Sequence, residues 1–192
     1  MLAGHSFGGL YVQAFAAEFP YQVAGMVLLD STAPKKGPAL PTNSGSYNGL
    51  TRASTLFSTI AHFGVGRLIA QGDFDSLPLE VQGEARANAS TADDLASFID
   101  EFVQANSAMQ QASSLTNLNG KPLIVLTADQ GITDDQWQAK QDRMATLSTN
   151  SLHRHTDATH ASLLDEADSA AASQAIHDVV ASVRTSQPLA SR

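Results

Sequence analysis

Apolar positions along this chain follow two rhythms, and the changes between them mark its elements. Leu10 to Phe19 (LYVQAFAAEF) is apolar at helical spacing and runs into Pro20. This predicts a helix with a firm stop. Val23 to Leu29 (VAGMVLL) and Pro122 to Thr127 (PLIVLT) are short unbroken apolar runs, which suit strands covered on both faces of a parallel sheet. Ser151 to Thr156 (SLHRHT) is more polar, as expected of a strand near a sheet edge. Asp134 to Leu147, containing Trp137, and Asp165 to Val183 read as helices. The second carries Ile176, Val179, Val180 and Val183 on one face.

The middle of the chain reads differently. Residues 33–48 are loop-like, with Pro34, Pro38, Pro41, Gly37 and Gly45 among several Ser and Asn. From 49 to 115 no strand signal stands out. Leu50, Leu56, Phe57, Ile60 and Phe63 suggest one amphipathic helix, and Leu95, Ile99, Phe102, Val103 and Met109 a longer one with Thr91 as its N-cap. The expected organisation is therefore a core in two pieces, 1–33 and 116–192, with a helical cap or lid insertion over 34–115. The alternation of strands and helices outside the insertion predicts an α/β fold with right-handed crossovers.

Composition narrows the function classes. A length of 192 residues fits one globular domain, and no disordered tract dominates. Lys and Arg number 11 against 19 Asp and Glu, a formal charge of −8, which argues against nucleic acid as a partner. With no Cys there is no disulfide, no thiol nucleophile and no cysteine metal site. No apolar run approaches the length of a membrane span. The first residues lack the basic and apolar regions of a signal peptide, and no compartment is legible. His153-x-His155 is the one tight His pair and has no third ligand at suitable spacing. The clusters Asp93-Asp94 and Asp165-Glu166-Asp168 read as solvent-facing charges at helix N-termini. No cofactor is expected.

Chemistry begins at residue 4. Gly4-His5-Ser6-Phe7-Gly8 matches G-x-S-x-G, in which Ser sits on a sharp strand-to-helix turn and glycines allow close packing. An apolar stub precedes it and a helix follows, as the motif requires. The N–H of Phe7, next after the serine, then becomes an oxyanion donor. The competing reading is a glycine-rich turn with an incidental serine. A phosphate loop is disfavoured, since neither G-x-x-x-x-G-K-[ST] nor G-x-G-x-x-G occurs here.

The stretch Gly4 to Tyr11, with Phe19-Pro20 and Val23 to Asp30 after it, resembles the elbow region of α/β-hydrolases of the serine esterase or lipase type. The resemblance resumes at Pro122 to Ala128 and at Thr159-His160-Ala161-Ser162-Leu163. It covers both ends of the chain and little of the middle. It implies Ser6 as nucleophile, a small-molecule carboxylic ester or related acyl compound as substrate, and a His–Asp pair to activate the serine. Of six histidines, His160 occupies the family's place for the base, in a loop between the last strand and the last helix. His5 stands where the family commonly has a structural residue, His62 lies in the expected lid, and His177 faces solvent. Asp30, at the end of Val23–Leu29, is the favoured acid; Asp134 and Asp129, after the strand Pro122–Thr127, are the alternatives. Dehalogenases and epoxide hydrolases of this type carry Asp where Ser6 stands.

In a complete member about four strands precede the elbow strand, which here is reduced to Met1-Leu2-Ala3. The resemblance therefore implies an N-terminally truncated chain. It would hold the C-terminal half of the fold, parallel strands five to eight with flanking helices and a lid, and lack the loop that gives a second oxyanion donor. Impaired activity and self-association through an exposed sheet edge are the expected consequences. The rival reading is a non-catalytic fragment or pseudoenzyme that acts only in binding or dimerisation.

Overall fold

The computed structural model describes residues 1–34, 79–89, 107–132 and 136–190, with positions 97, 104 and 105 besides. The chain divides into two compact units, Met1–Gly37 with Ala108–Arg192, and Pro38–Ser107. In the second unit the described element is a polar helix, α2, Leu79–Ala89. Most positions of the two helices expected in the insertion, and His62, Asp93 and Asp94, lie outside the described residues.

The first unit is a four-stranded sheet of strands β1 (Leu2–His5), β2 (Met26–Leu29), β3 (Leu123–Gln130) and β4 (Ser151–Thr159). They lie side by side in chain order, every pair parallel. This is the arrangement of strands that the resemblance implies. The flanking helices are α1 (Phe7–Glu18), α3 (Trp137–Ala145) and α4 (Ala170–Thr185).

The two apolar runs behave as their composition demands. Met26 pairs with Leu123 and Leu28 with Val125, and these four join Ala16, Val23, Leu118 and Met144 in one core. Val27 and Leu29, opposite Ile124 and Leu126, face the other way. They pack with Leu163, Ala172, Ala175 and Val179 from the chain leading into α4 and from α4 itself. Successive strand residues thus feed cores on opposite faces, which is why neither run alternates with polar residues. All eight are at most 4% exposed, and each contributes about 1.5–3 kcal/mol by its burial.

Several boundaries differ from the expected ones for local reasons. Helix α1 begins at Phe7, directly after the turn. Strand β2 starts at Met26, because Pro20–Gln22 forms a 3-10 turn and Gly25 packs closely against Pro122 and Val179. Strand β4 reaches Thr159, three residues further than its polarity suggested, and a register irregularity opposite Ala128–Gln130 accompanies this extension. Helix α4 starts at Ala170, since 165–169 forms turns after the 3-10 segment Ser162–Leu164. Helical residues 108–113 belong with α1: Ala108 and Ala112 are buried against Leu10 and Ala14, with Met109 beside them.

Close packing at the β1–α1 turn depends on two glycines. A Cβ on Gly4 would run into backbone atoms of Gly8 and Gly9, and one on Gly9 would overlap the Ser31 side chain. A Cβ on Gly8 meets nothing within 4 Å. Gly4→Ala is expected to cost about 3 kcal/mol through forced displacement of the turn. Gly8→Ala should be neutral or stabilise by up to about 1 kcal/mol. Urea unfolding midpoints of the two variants check the contrast.

Candidate active site

Ser6 occupies the single residue between β1 and α1, with φ 55° and ψ −125°. A side chain rarely adopts this conformation, and it persists only when its surroundings fix it. Here they do. The Ser6 N–H donates to Leu29 O at 3.2 Å, while Ser6 O accepts from Gly9 N–H at 3.1 Å and Thr32 N–H at 3.0 Å. The backbone is thus tied to β2, to α1 and to the segment after β2. The hydroxyl makes no capping bond to α1 and is left to the cleft.

A buried polar layer supports the turn from below. The Gln13 side-chain amide, on α1, donates to Gly9 O at 3.1 Å and lies 3.4 Å from Ser31 Oγ. Gln141, on α3, donates to Ser31 O at 2.9 Å. Gln13, Ser31 and Gln141 are all fully buried. These two glutamines hold α1 and α3 to the segment that follows β2.

At the carboxyl end of β2, Asp30 also has a positive φ, 40°. Its N–H donates to Leu126 O at 2.7 Å, and its side chain is 4% exposed. A carboxylate so placed is costly unless its oxygens are hydrogen-bonded, and both are. Oδ1 accepts from Trp137 Nε1–H at 2.9 Å and from Ala128 N–H at 3.3 Å. Oδ2 accepts from His160 Nδ1–H at 2.6 Å. In that tautomer His160 Nε2 is the acceptor, and Ser6 Oγ–H donates to it at 3.0 Å. One chain of hydrogen bonds therefore runs from the Ser6 hydroxyl through His160 to Asp30.

His160 lies in the turn after β4 and is held from a second side. His5 Nε2–H donates to the His160 backbone oxygen at 2.9 Å, and the two rings lie 4.5 Å apart between centroids. Burial lowers the His5 pKa below its ordinary 6.5 and the neighbouring His160 lowers it further. The bond to the His160 carbonyl and the Asp30 charge oppose this. His5 is thus a neutral clamp at pH 7.

The other sequence-derived candidates are placed elsewhere. Asp129 accepts from His155 Nδ1–H at 2.9 Å and from the Gln138 amide at 3.2 Å, so its carboxylate is turned to β4 instead of to His160. Asp134 lies outside the described residues. His153 and His155 stack 4.5 Å apart on one face of β4, as their two-residue spacing predicts. His153 is engaged by Asp142 and Thr127, each at 2.8 Å. Among the described residues no group of three His, Asp or Glu could hold a metal ion. His177, in α4, is 72% exposed, and Phe7 opens α1.

Sequence reasoning missed Trp137 as a member of the site. The signal was there in part: Trp137, Gln141 and Met144 stand at helical spacing on α3, and all three turn inward. Ser6, Asp30, Trp137 and His160, with Thr32, Ile132 and neighbouring backbone, line a cleft of about 360 Å³.

The match to known proteins runs through the same elements. The family model "Alpha/beta hydrolase family" matches residues 1–173. Similar solved structures include a candidate ancestral haloalkane dehalogenase (17% identity, 96% of this chain and 68% of that one, TM-score 0.63). MenH from S. aureus is another (16%, 95% and 68%, 0.55). A third is a candidate lipase from Acinetobacter baumannii AYE (17%, 96% and 61%, 0.55). At such identities the likeness is one of fold. No curated protein matches the sequence. The strand order, the strained turn after β1 and the extent of the family match agree, and the chain belongs to the alpha/beta hydrolase family.

Proposed function

We propose that this protein is a serine hydrolase acting on carboxylic esters or related acyl compounds through Ser6, His160 and Asp30. The observation that carries the reading is the unbroken hydrogen-bond chain from Ser6 Oγ to His160 Nε2 and from His160 Nδ1 to Asp30 Oδ2. A serine hydroxyl is a weak nucleophile and needs a base within hydrogen-bond reach, itself oriented by a third group. This site has all three at that spacing.

In this mechanism Ser6 Oγ attacks the ester carbonyl while its proton passes to His160 Nε2. Asp30 holds the Nδ1–H tautomer and stabilises the imidazolium that forms. The oxyanion develops beside the start of α1, where Phe7 N–H is the assigned donor; one such donor is worth about 10²–10³ in rate. His160 then gives the proton to the leaving alkoxide. Water, deprotonated by His160, cleaves the acyl-enzyme and restores Ser6. A serine at position 6 supports acyl transfer over the dehalogenase chemistry of one structural neighbour, since the resemblance gives such enzymes Asp at this place.

A fluorophosphonate probe and a short p-nitrophenyl ester test the reading. Labelling is expected at Ser6 and should vanish in Ser6→Ala, with ester turnover falling about 10⁶-fold. Asp30→Asn should lose about 10⁴-fold, whereas Asp129→Asn should hydrolyse at close to the starting rate. A folded protein that does not label, or a loss at Asp129 and none at Asp30, overturns the assignment. The former outcome favours a protein that only binds.

His5 adds a pH dependence. Its folded pKa lies below its unfolded value, so the unfolded chain binds the extra proton first on acidification. Its contribution to stability is complete above about 6.5 and is lost as pH falls from there through the lowered folded pKa. Thermal unfolding between pH 7 and pH 5 should show a decline in stability that is shallower in His5→Gln.

A further inference from the structure

We propose that Trp137 is a positioning residue for this reaction: its indole N–H fixes which oxygen of Asp30 faces His160, and its ring limits the swing of the imidazole. The proposal rests on the assignment of Ser6, His160 and Asp30 above.

A carboxylate can rotate about its last bond and exchange its oxygens, and only its hydrogen bonds prevent this. At Asp30 two donors meet Oδ1, and the indole is the closer, at 2.9 Å against 3.3 Å for Ala128 N–H. With Oδ1 so occupied, Oδ2 is the oxygen presented to His160 Nδ1 at 2.6 Å. The side chain is 4% exposed, which leaves little access for water to replace a lost donor. Removing the indole N–H therefore leaves Oδ1 with the longer bond alone and frees the carboxylate to turn.

The indole also meets the base directly. The Trp137 and His160 rings stand edge to face, 86° between planes and 6.4 Å between centroids. With the His5 ring 4.5 Å away, the imidazole of His160 has two ring neighbours. Trp137 can hold these positions because its helix is anchored where it matters. One turn on, Gln141 donates to the carbonyl of Ser31, the residue next to Asp30, and Met144 enters the sheet core. The spacing 137, 141, 144 puts indole, amide and thioether on one stripe of α3. The helix is thus tied to the same stretch of chain that bears the acid.

Trp137 is the single tryptophan of the chain, so its emission reads this bond without interference. Trp137→Phe keeps an aromatic ring and removes the donor. It is expected to lower kcat for the p-nitrophenyl ester about tenfold, with KM changed less than twofold, and to slow fluorophosphonate labelling of Ser6 by the same factor. In the otherwise unaltered protein, Asp30→Asn removes the charged acceptor and should shift the emission maximum of Trp137. The proposal is overturned if Trp137→Phe labels and turns over like the parent, or if the emission of Asp30→Asn is unchanged. Should Trp137→Phe fail to fold, the emission measurement alone decides whether the indole holds Asp30. A parent protein that does not label at Ser6 sinks the hydrolase reading instead, and the positioning role of Trp137 with it.

Discussion

A carboxylate at the end of a buried strand must find donors within the protein, and Asp30 finds them on three other parts of the fold. Ala128 on β3, Trp137 on α3 and His160 after β4 all point at its two oxygens. Its backbone N–H is bonded to β3 as well. The requirement that a buried charge be satisfied therefore sets the position of elements far apart in sequence. Its neighbours Ser31 and Thr32 extend the same knot to Gln13, Gln141 and the Ser6 carbonyl. What the hydrophobic cores do for the middle of the sheet, this polar layer does for its carboxyl end.

The two layers divide the work. Leucine, isoleucine and valine on β2 and β3 bind the sheet to helices on both faces without specifying atomic positions at the strand ends. Hydrogen bonds are directional and specify those positions to a few tenths of an ångström. The backbone of Ser6 shows the consequence: its strained φ is held by three bonds to separate segments, so the hydroxyl is aimed without any bond of its own to the helix.

Much of this was legible in the residues. Unbroken apolar runs at Val23–Leu29 and Pro122–Thr127 marked the central strands, because a strand covered on both faces cannot alternate. Gly4-His5-Ser6-Phe7-Gly8 marked the turn, because that geometry tolerates few side chains. His160 and Asp30 were singled out as candidates by their place in the order of elements that the resemblance supplies, not by local pattern, and the structure brings their side chains together. The choice between Asp30 and Asp129 could not be made on spacing: both follow buried strands, and what separates them is which neighbour each meets. Asp129 meets His155. Trp137 was visible only as a large apolar residue near the start of a helix, since its role depends on an N–H bond across 107 residues of chain. The ends of β4 and α4 were displaced for a similar reason. Tertiary pairing with β3 extended β4, and turns took the residues before Ala170.

The chain-order arrangement of the strands has a bearing on how the protein folds. Each strand pairs with its sequence neighbour, yet Ser6 and His160 meet across a separation of 154 residues and Asp30 and His160 across 130. Contacts of that span must overcome the entropy of closing long loops before they return anything. The sheet can grow strand by strand, but these contacts close only when its last strand has docked. The bonds that fix the Ser6 backbone to Leu29, Gly9 and Thr32 need only the first two strands and the first helix, whereas the bond from its hydroxyl to His160 depends on the last strand.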